Sequence, residues 1–160
     1  NRGGRYTSLK DLIAFNEQNA DKEMPYFGQE IFIQAQAKAG LDDRAYQIAL
    51  LQSKMMTQEQ GIDAIMEKYK IDAVVAPSGG VAWLTDLVSG DCGVFESSSL
   101  AAVAGYPNIT VPAGYVLGLP AGISFFGRAL SEPTLIQVAY AFEQMTNVRR
   151  PPKYLPTYAG

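Results

Sequence analysis

Proline and glycine residues divide the second half of the chain into short apolar segments. Their spacing limits the possible folds more than any other feature of the sequence. The stretch GYPNITVPAGYVLGLPAGISFFGR contains three segments typical of β-strands, namely residues 108–111, 114–117 and 121–126. An earlier apolar run, residues 72–76, stops at Pro77 and is typical of a buried strand. The second half is therefore predicted to supply strands to a sheet.

The first 70 residues are predicted to be mainly helical. Ser8 and Asp11 have the spacing of a capping pair that opens a helix ending near residues 21–23, and a second helix fits residues 29–38. A longer stretch begins at Asp42 or Asp43 and ends in an apolar stripe formed by Ile62, Ile65, Met66 and Tyr69. Gly61 weakens that stretch, and Thr57 with Gln60 has cap character, so one long helix and two helices are both open.

The remaining elements complete an alternation of helices and strands. Residues 81–96 are predicted to form a long loop, and Ser97 or Ser98 to cap a short helix, 100–104, that Gly105 closes. The last helix is predicted to start at Ser131 and to end at the prolines 151–152, with a buried face of Leu135, Ala139 and Phe142. This order predicts the α/β class with layered helices and strands.

The composition excludes several classes of function. A net charge of −3 gives no electrostatic reason to bind nucleic acid or an anionic membrane, and no apolar run approaches the ~20 residues that span a bilayer. The 160 residues contain no histidine, so Ser-His-Asp and Cys-His sites and the usual zinc sites are excluded. Cys92 is the one cysteine, which fits a reducing compartment. We expect a cytoplasmic protein that needs no cofactor or metal.

The residues that resemble catalytic groups have simpler structural interpretations. The serine run 97–99 is better read as a helix cap than as a nucleophile, because a reactive serine needs an adjacent base. Lys68 and Lys70 flank an apolar stripe and are predicted to be solvated. The sequence Ser78-Gly79-Gly80 is interpreted as the turn that follows a strand. Asp86 and Asp91 are interpreted as solvated loop carboxylates, and Cys92 as a thiol without a function.

Three ordered segments resemble the C-terminal part of the amidase signature family: IDAVVAPSGG, LAAVAGYPNITVPAGYVLGLPAGISFFGR and SEPTLIQVAYAFEQMTNVRRPP. Upstream, DLIAFNEQNADKEMPYFGQEIFIQA is similar to a bacterial subset of that family that includes peptide amidases. The resemblance implies hydrolysis of carboxylic amide C–N bonds and a layered α/β/α fold with a mixed central sheet. It also implies an acyl-enzyme on one serine, a second serine on a cis peptide bond that relays the proton, and a neutral lysine as base.

Those catalytic groups belong to a glycine- and serine-rich region of the family that precedes every segment quoted above, so no catalytic residue is expected in this chain. In the family, the stretch between the strand ending at Pro77 and the helix before Gly105 helps to wall the substrate pocket. The positions here that would do so are Trp83, Asp86, Phe95, Ser97 and Ser98. The two aromatic residues would supply apolar surface, and the others would orient polar substrate groups. The alternative is that the two aromatic residues only fasten a long loop to the core.

The sequence thus predicts that residues 1–160 form one unit, the C-terminal part of a larger amidase domain, and Asn1 in place of methionine favours a longer parent. The chain alone is expected to be inactive. Its expected partners are a small-molecule or peptide amide substrate and the N-terminal part of the same enzyme. The isolated chain is expected to be marginally stable or to self-associate, because strand edges would be exposed. The alternative is a non-catalytic binding or scaffolding domain with amidase-like architecture.

Overall fold

The structure is a computed structural model that describes residues 4–84, 86–88, 90, 93 and 95–154. Two of the residues discussed above, Asp91 and Cys92, lie outside the described residues. The chain divides into two compact units, an N-terminal unit up to Ile48 and a C-terminal unit from Ala49 onwards.

The N-terminal unit contains short helices: α1 (Leu9–Gln18), α2 (Ala20–Glu23) and α3 (Glu30–Gln36). The predicted capping box is confirmed, since the Asp11 amide donates to the Ser8 hydroxyl over 3.2 Å and the Ser8 amide donates to the Asp11 carboxylate over 3.1 Å. The prediction of one continuous helix up to residues 21–23 is wrong. The helix is interrupted at Asn19, whose backbone is not helical, with φ −121° and ψ 27°.

None of the described side chains in the helices of the N-terminal unit is buried. Their mutual contacts are partly polar, because the Gln29 amide donates to the Ile13 carbonyl and accepts from Asn16. Large apolar side chains remain exposed, and Ile31 is 79% accessible.

The stretch from 44 to 69 consists of two helices joined by a π-helical turn, which decides between the two alternatives left open by the sequence. These are α4 (Arg44–Thr57), the turn Gln58–Ile62 and α5 (Asp63–Tyr69). At Gly61 the backbone leaves helical geometry, with φ −106° and ψ −105°. A β-carbon there would lie 2.7 Å from the Met56 carbonyl oxygen, so only glycine permits this approach.

Half of the predicted apolar stripe is buried. Ile62 and Met66 lie in the core of the C-terminal unit, whereas Ile65 and Tyr69 are exposed, contrary to the prediction. The helix α5 has only seven residues and follows directly on the π turn. As a result, only Ile62 and Met66, which lie four residues apart, face the core.

The strands β1 (Val74–Pro77), β2 (Asn108–Val116) and β3 (Leu119–Phe126) form an antiparallel sheet in the order β1-β3-β2. Three separate strands were expected from residue 108 to 126, and this is wrong: residues 108–116 form a single strand. The register shifts between Pro112 and Gly114, which marks a β-bulge. A proline at a bulge of an edge strand removes no ladder hydrogen bond, so Pro112 does not end the strand.

A two-residue turn joins β2 to β3, with Leu117 at φ 50° and Gly118 at φ 82°. Two central residues at positive φ are typical of a type I′ turn, which favours Asn-Gly. Leu117 is 99% exposed and contributes little packing. We therefore expect Leu117→Asn to raise the free energy of unfolding by about 1 kcal/mol, because leucine is strained in this region. Urea unfolding tests this. An unchanged or lower midpoint would contradict it.

The two faces of the sheet are covered by different helices. On one face, Phe126 packs with Ile62 and Met66 and with Ala101 and Ala104 of α6 (Ser98–Ala104). On the other face, Phe125 and Val111 pack with Leu135 and Ala139 of α7 (Glu132–Thr146). Alternate residues of β3 thus point to opposite layers, as the strand period requires. The predicted α/β class with helices layered on strands is confirmed.

The two later helices confirm some predicted ends and correct others. Gly105 at φ 71° ends α6, as predicted. In α7, Leu135 and Ala139 are buried and Phe142 packs beside them, as predicted. The helix ends at Asn147, φ 46°, and not at the prolines 151–152, because a left-handed residue already breaks the ladder. Among the described residues, no helix is long and apolar enough to cross a membrane.

Candidate active-site wall

An open cavity of about 480 Å³ lies between α6 and the face of the sheet that carries Phe126. Its apolar lining comes from Ala76, Phe95, Leu100, Val103 and Phe126, and its polar lining includes Thr57, Ser97 and Ser99. These apolar side chains come from four parts of the chain: β1, the segment before α6, α6 and the end of β3. A cavity with mostly apolar walls and a few hydroxyls at its edge is typical of sites that bind small organic molecules.

The structure brings two of the five sequence-predicted wall residues to this cavity. Phe95 and Ser97 line it. Ser98 is the first residue of α6 and is exposed, and it is not among the lining residues. Trp83 and Asp86 lie in the irregular segment after β1, where the Asp86 carboxylate accepts from the Val88 amide over 2.8 Å. A role in substrate binding stays a prediction for all five.

Ser97 does not cap α6 with its side chain, contrary to one reading of the sequence. It occupies the cap position, but its backbone is helical, with φ −87° and ψ −8°, and no cap bond forms. A capping serine has an extended backbone that turns its hydroxyl towards the first helical amides. Instead the Ser97 hydroxyl donates to the Ser78 carbonyl over 3.4 Å, and the Ser97 amide donates to the same carbonyl over 3.3 Å.

Beside the cavity, Ser78, Thr110 and Ser124 form a cluster of hydroxyls that the sequence analysis did not predict. The Ser124 hydroxyl lies 2.8 Å from that of Ser78 and 2.8 Å from that of Thr110. Ser124 is only 2% exposed and comes from the otherwise apolar strand β3. A serine inside an apolar strand was the available signal, but its partners follow from the pairing of Thr110 with Ser124 across β2 and β3.

Charged and phenolic groups fix α5 to the segments that flank the sheet. The Tyr106 hydroxyl donates to the Asp63 carboxylate over 2.8 Å, and burial together with that carboxylate raises the pKa of Tyr106. Lys70 pairs with Glu67, and Arg128 lies 3.3 Å from the same carboxylate. These donors, Lys70 first, lower the pKa of Glu67. Lys68 and Lys70 are exposed, as the sequence predicted.

The described part of this wall is suited to binding more than to reaction. The Ser97 hydroxyl in the lining donates to a carbonyl, and the Ser78 and Ser124 hydroxyls next to the lining bond to other hydroxyls. Within the described ranges, no three acidic or cysteine side chains lie close enough together to hold a metal ion. A hydroxyl without an adjacent base is a weak nucleophile.

The chain is similar to amidases of known sequence and structure. No family model matches the chain. A probable amidase of Arabidopsis thaliana is 41% identical over 150 residues, which are 92% of this chain and 26% of that relative. The crystal structure of the peptide amidase PAM with the competitive inhibitor chymostatin superimposes with a TM-score of 0.88 at 48% identity, over 94% of this chain and 31% of that chain. The chain belongs to the amidase signature family.

The native peptide amidase of Stenotrophomonas maltophilia gives the same result, with 48% identity and a TM-score of 0.83 over 94% of this chain and 30% of that chain. This amidase signature chain therefore spans less than a third of the length of these relatives, and it matches their C-terminal part. The family and the part of it that the sequence predicted are both confirmed.

Proposed function

We propose that the chain is the C-terminal part of an amidase that hydrolyses carboxylic amide C–N bonds. The observation that carries this is the 48% identity and TM-score of 0.88 with a peptide amidase over 94% of the chain. In this proposal the catalytic serine, the relaying serine and the neutral lysine of a Ser-Ser-Lys acyl-enzyme mechanism belong to the part of the protein upstream of Asn1. The 160 residues support the site and carry none of the three groups.

The function proposed for the cavity beside α6 is to hold an apolar group of the amide substrate. Phe95, Leu100, Val103 and Phe126 offer such a group an almost continuous apolar surface. Removing apolar surface from water contributes roughly 25 cal/mol per Å² to binding. The substrate would be a peptide amide or small carboxamide with an apolar group next to the scissile bond, and Trp83, Asp86 and Ser98 would extend the wall around it.

The proposed partner of the N-terminal unit is the N-terminal part of the same enzyme. The unit buries none of the described residues of its helices and exposes large apolar side chains that include Phe27, Ile31 and Leu41. Burial against the rest of the enzyme would remove this apolar surface from water. The same exposed surface is a second reason, besides exposed strand edges, to expect self-association of the isolated chain. A cytoplasmic location stays a prediction.

Amide hydrolysis by the longer protein that contains this chain tests the proposal, and Val103→Trp tests the wall. Val103 lines the cavity and is 49% exposed, so an indole there would fill space meant for the substrate. We expect KM for an amide with a large apolar group to rise about tenfold, which corresponds to about 1.4 kcal/mol of lost binding, with little change for acetamide. Steady-state kinetics on both substrates measure this.

Val116→Trp is the matched control, because Val116 is also a valine, is 51% exposed and lies at the β2–β3 hairpin away from the cavity. It is expected to leave both KM values unchanged. Equal effects of the two substitutions would remove Val103 from the substrate wall. Absence of amide hydrolysis by the longer unsubstituted protein would refute the proposed function itself.

A further inference from the structure

We propose that Ser78, Thr110 and Ser124 form a closed ring of hydroxyl groups that positions the wall of the cavity, so that these three are positioning residues for substrate binding. The proposal rests on the proposed function only in that the cavity is taken as the substrate site. The ring itself is a feature of the structure and has its own readout. None of the three residues lines the cavity.

The ring follows from counting protons. Each hydroxyl has one proton to donate. The Ser124 hydroxyl donates to that of Ser78 over 2.8 Å, so the 2.8 Å bond between Ser124 and Thr110 must take its proton from Thr110. The Ser78 hydroxyl donates in turn to that of Thr110 over 3.4 Å. Each group therefore donates once and accepts once, and the buried Ser124 hydroxyl has both its bonds satisfied.

The ring joins Ser78, which follows β1, to two residues that are paired across β2 and β3. Gly122 makes this possible. A β-carbon at Gly122 would lie 2.8 Å from the Ser78 hydroxyl and 3.0 Å from the Thr110 methyl group, so any larger residue would displace both. The Gly122 carbonyl also accepts from the Ser78 amide over 3.0 Å. Ser78 is thus fixed to the sheet through its side chain and its backbone together.

Ser78 in turn holds the segment that carries the wall. Its carbonyl accepts from both the amide and the hydroxyl of Ser97, and the next residue, Gly79, forms a bridge with Glu96. Phe95, Glu96 and Ser97 all line the cavity. Because residues 95–97 belong to no helix or strand, these bonds are what set their distance from the sheet. Loss of the ring is therefore expected to widen or disorder the cavity on this side.

Thr110 is suited to a test because it is exposed. Two substitutions there distinguish the effect of losing the hydroxyl from the effect of changing the size of the side chain. Thr110→Val removes the hydroxyl at nearly constant volume, and Thr110→Ser keeps it. In the longer protein, Thr110→Val is expected to raise KM for an apolar amide about fivefold with kcat nearly unchanged, as for loss of one neutral hydrogen bond that orders the site. Thr110→Ser is expected to keep the KM of the unsubstituted protein.

Hydrogen exchange of the Ser97 amide gives a readout that does not depend on activity. This amide donates to the Ser78 carbonyl, and we expect it to exchange about fivefold faster in Thr110→Val than in Thr110→Ser, while the amides of the β2–β3 ladder keep their rates. Ser124→Ala, which opens the ring at its buried member, is expected to give the same pattern.

The outcomes separate the two proposals. If the longer protein hydrolyses no amide, the proposed function fails, and the Ser97 exchange rate alone still decides for or against the ring. Unchanged exchange and unchanged KM in Thr110→Val would overturn the inference. So would equal losses in Thr110→Val and Thr110→Ser, because the hydroxyl would then not be the group that matters.

Discussion

The 160-residue chain on its own is expected to hydrolyse no carboxylic amide above the uncatalysed rate. A serine attacks an amide only when an adjacent base takes its proton, and the chain contains no histidine to do so. The hydroxyls beside the cavity, those of Ser78, Ser97 and Ser124, hydrogen bond to hydroxyls and to a carbonyl. None of these partners accepts a proton at neutral pH.

Lysine is the other base that amidase chemistry would use, and the two lysines considered from the sequence do not have the surroundings it needs. A lysine acts as a base near pH 7 when burial lowers its pKa. Lys70 is exposed and paired with Glu67, and Lys68 is exposed with its ammonium group 5.2 Å from the centre of the Tyr69 ring. Neither side chain is buried, so neither has the desolvated surroundings that this role requires.

The measurement compares the chain and the longer protein, side by side at equal concentration, on a peptide amide, an aliphatic amide and an aryl amide. The expected result is hydrolysis by the longer protein only. Turnover by the purified chain that disappears in Ser97→Ala or Ser124→Ala would contradict the expectation and place a working nucleophile in these residues. Turnover that survives both substitutions would point to a contaminant, which a mock purification identifies.

Much of the fold could be predicted because the relevant signals are local. The Ser8–Asp11 capping box and the Gly105 stop both appear in the structure, since each depends on residues within one helical turn. The strands after Gly105 were found for the same reason, because β-prone segments and turn residues alternate there. What failed is the interpretation of Pro112, since a bulge and an actual strand end look alike in sequence.

The features that sequence reasoning missed depend on contacts between distant segments. Helical spacing predicted four residues of one apolar face, but the π turn at Gly61 decides that Ile62 and Met66 are the buried pair. The hydroxyl ring needs the register of β2 against β3 and the position of Ser78 after β1. Thr110 and Ser124 lie 32 and 46 positions after Ser78, and no rule of helical or strand spacing brings residues so far apart together.

The candidate site, like the fold, could be predicted only in part. Of the residues that the resemblance indicated, Phe95 and Ser97 line the cavity. Leu100, Val103 and Phe126 line it as well, and the sequence did not select them because they look like ordinary helix and strand residues. Their place in the lining depends on the space between α6 and the sheet, which no local sequence pattern reveals.

Leu135→Ala is expected to lower the free energy of unfolding by about 2–5 kcal/mol. Leu135 is 1% exposed and packs from α7 against the face of the sheet that carries Phe125 and Val111. Removing its isobutyl group loses apolar burial and leaves a cavity that the neighbouring strands fill only in part. The next residue, Ile136, is 58% exposed, so Ile136→Ala is a matched control with an expected change of about 0.5 kcal/mol or less.

Urea unfolding of both variants and of the unsubstituted chain, at one protein concentration, measures the difference. The concentration must be fixed because self-association would add binding energy to the apparent stability. A shift in midpoint with an unchanged denaturant slope assigns the loss to the folded core. Equal shifts for Leu135→Ala and Ile136→Ala would mean that α7 does not cover the sheet through Leu135, and the layered arrangement of the C-terminal unit would then be wrong.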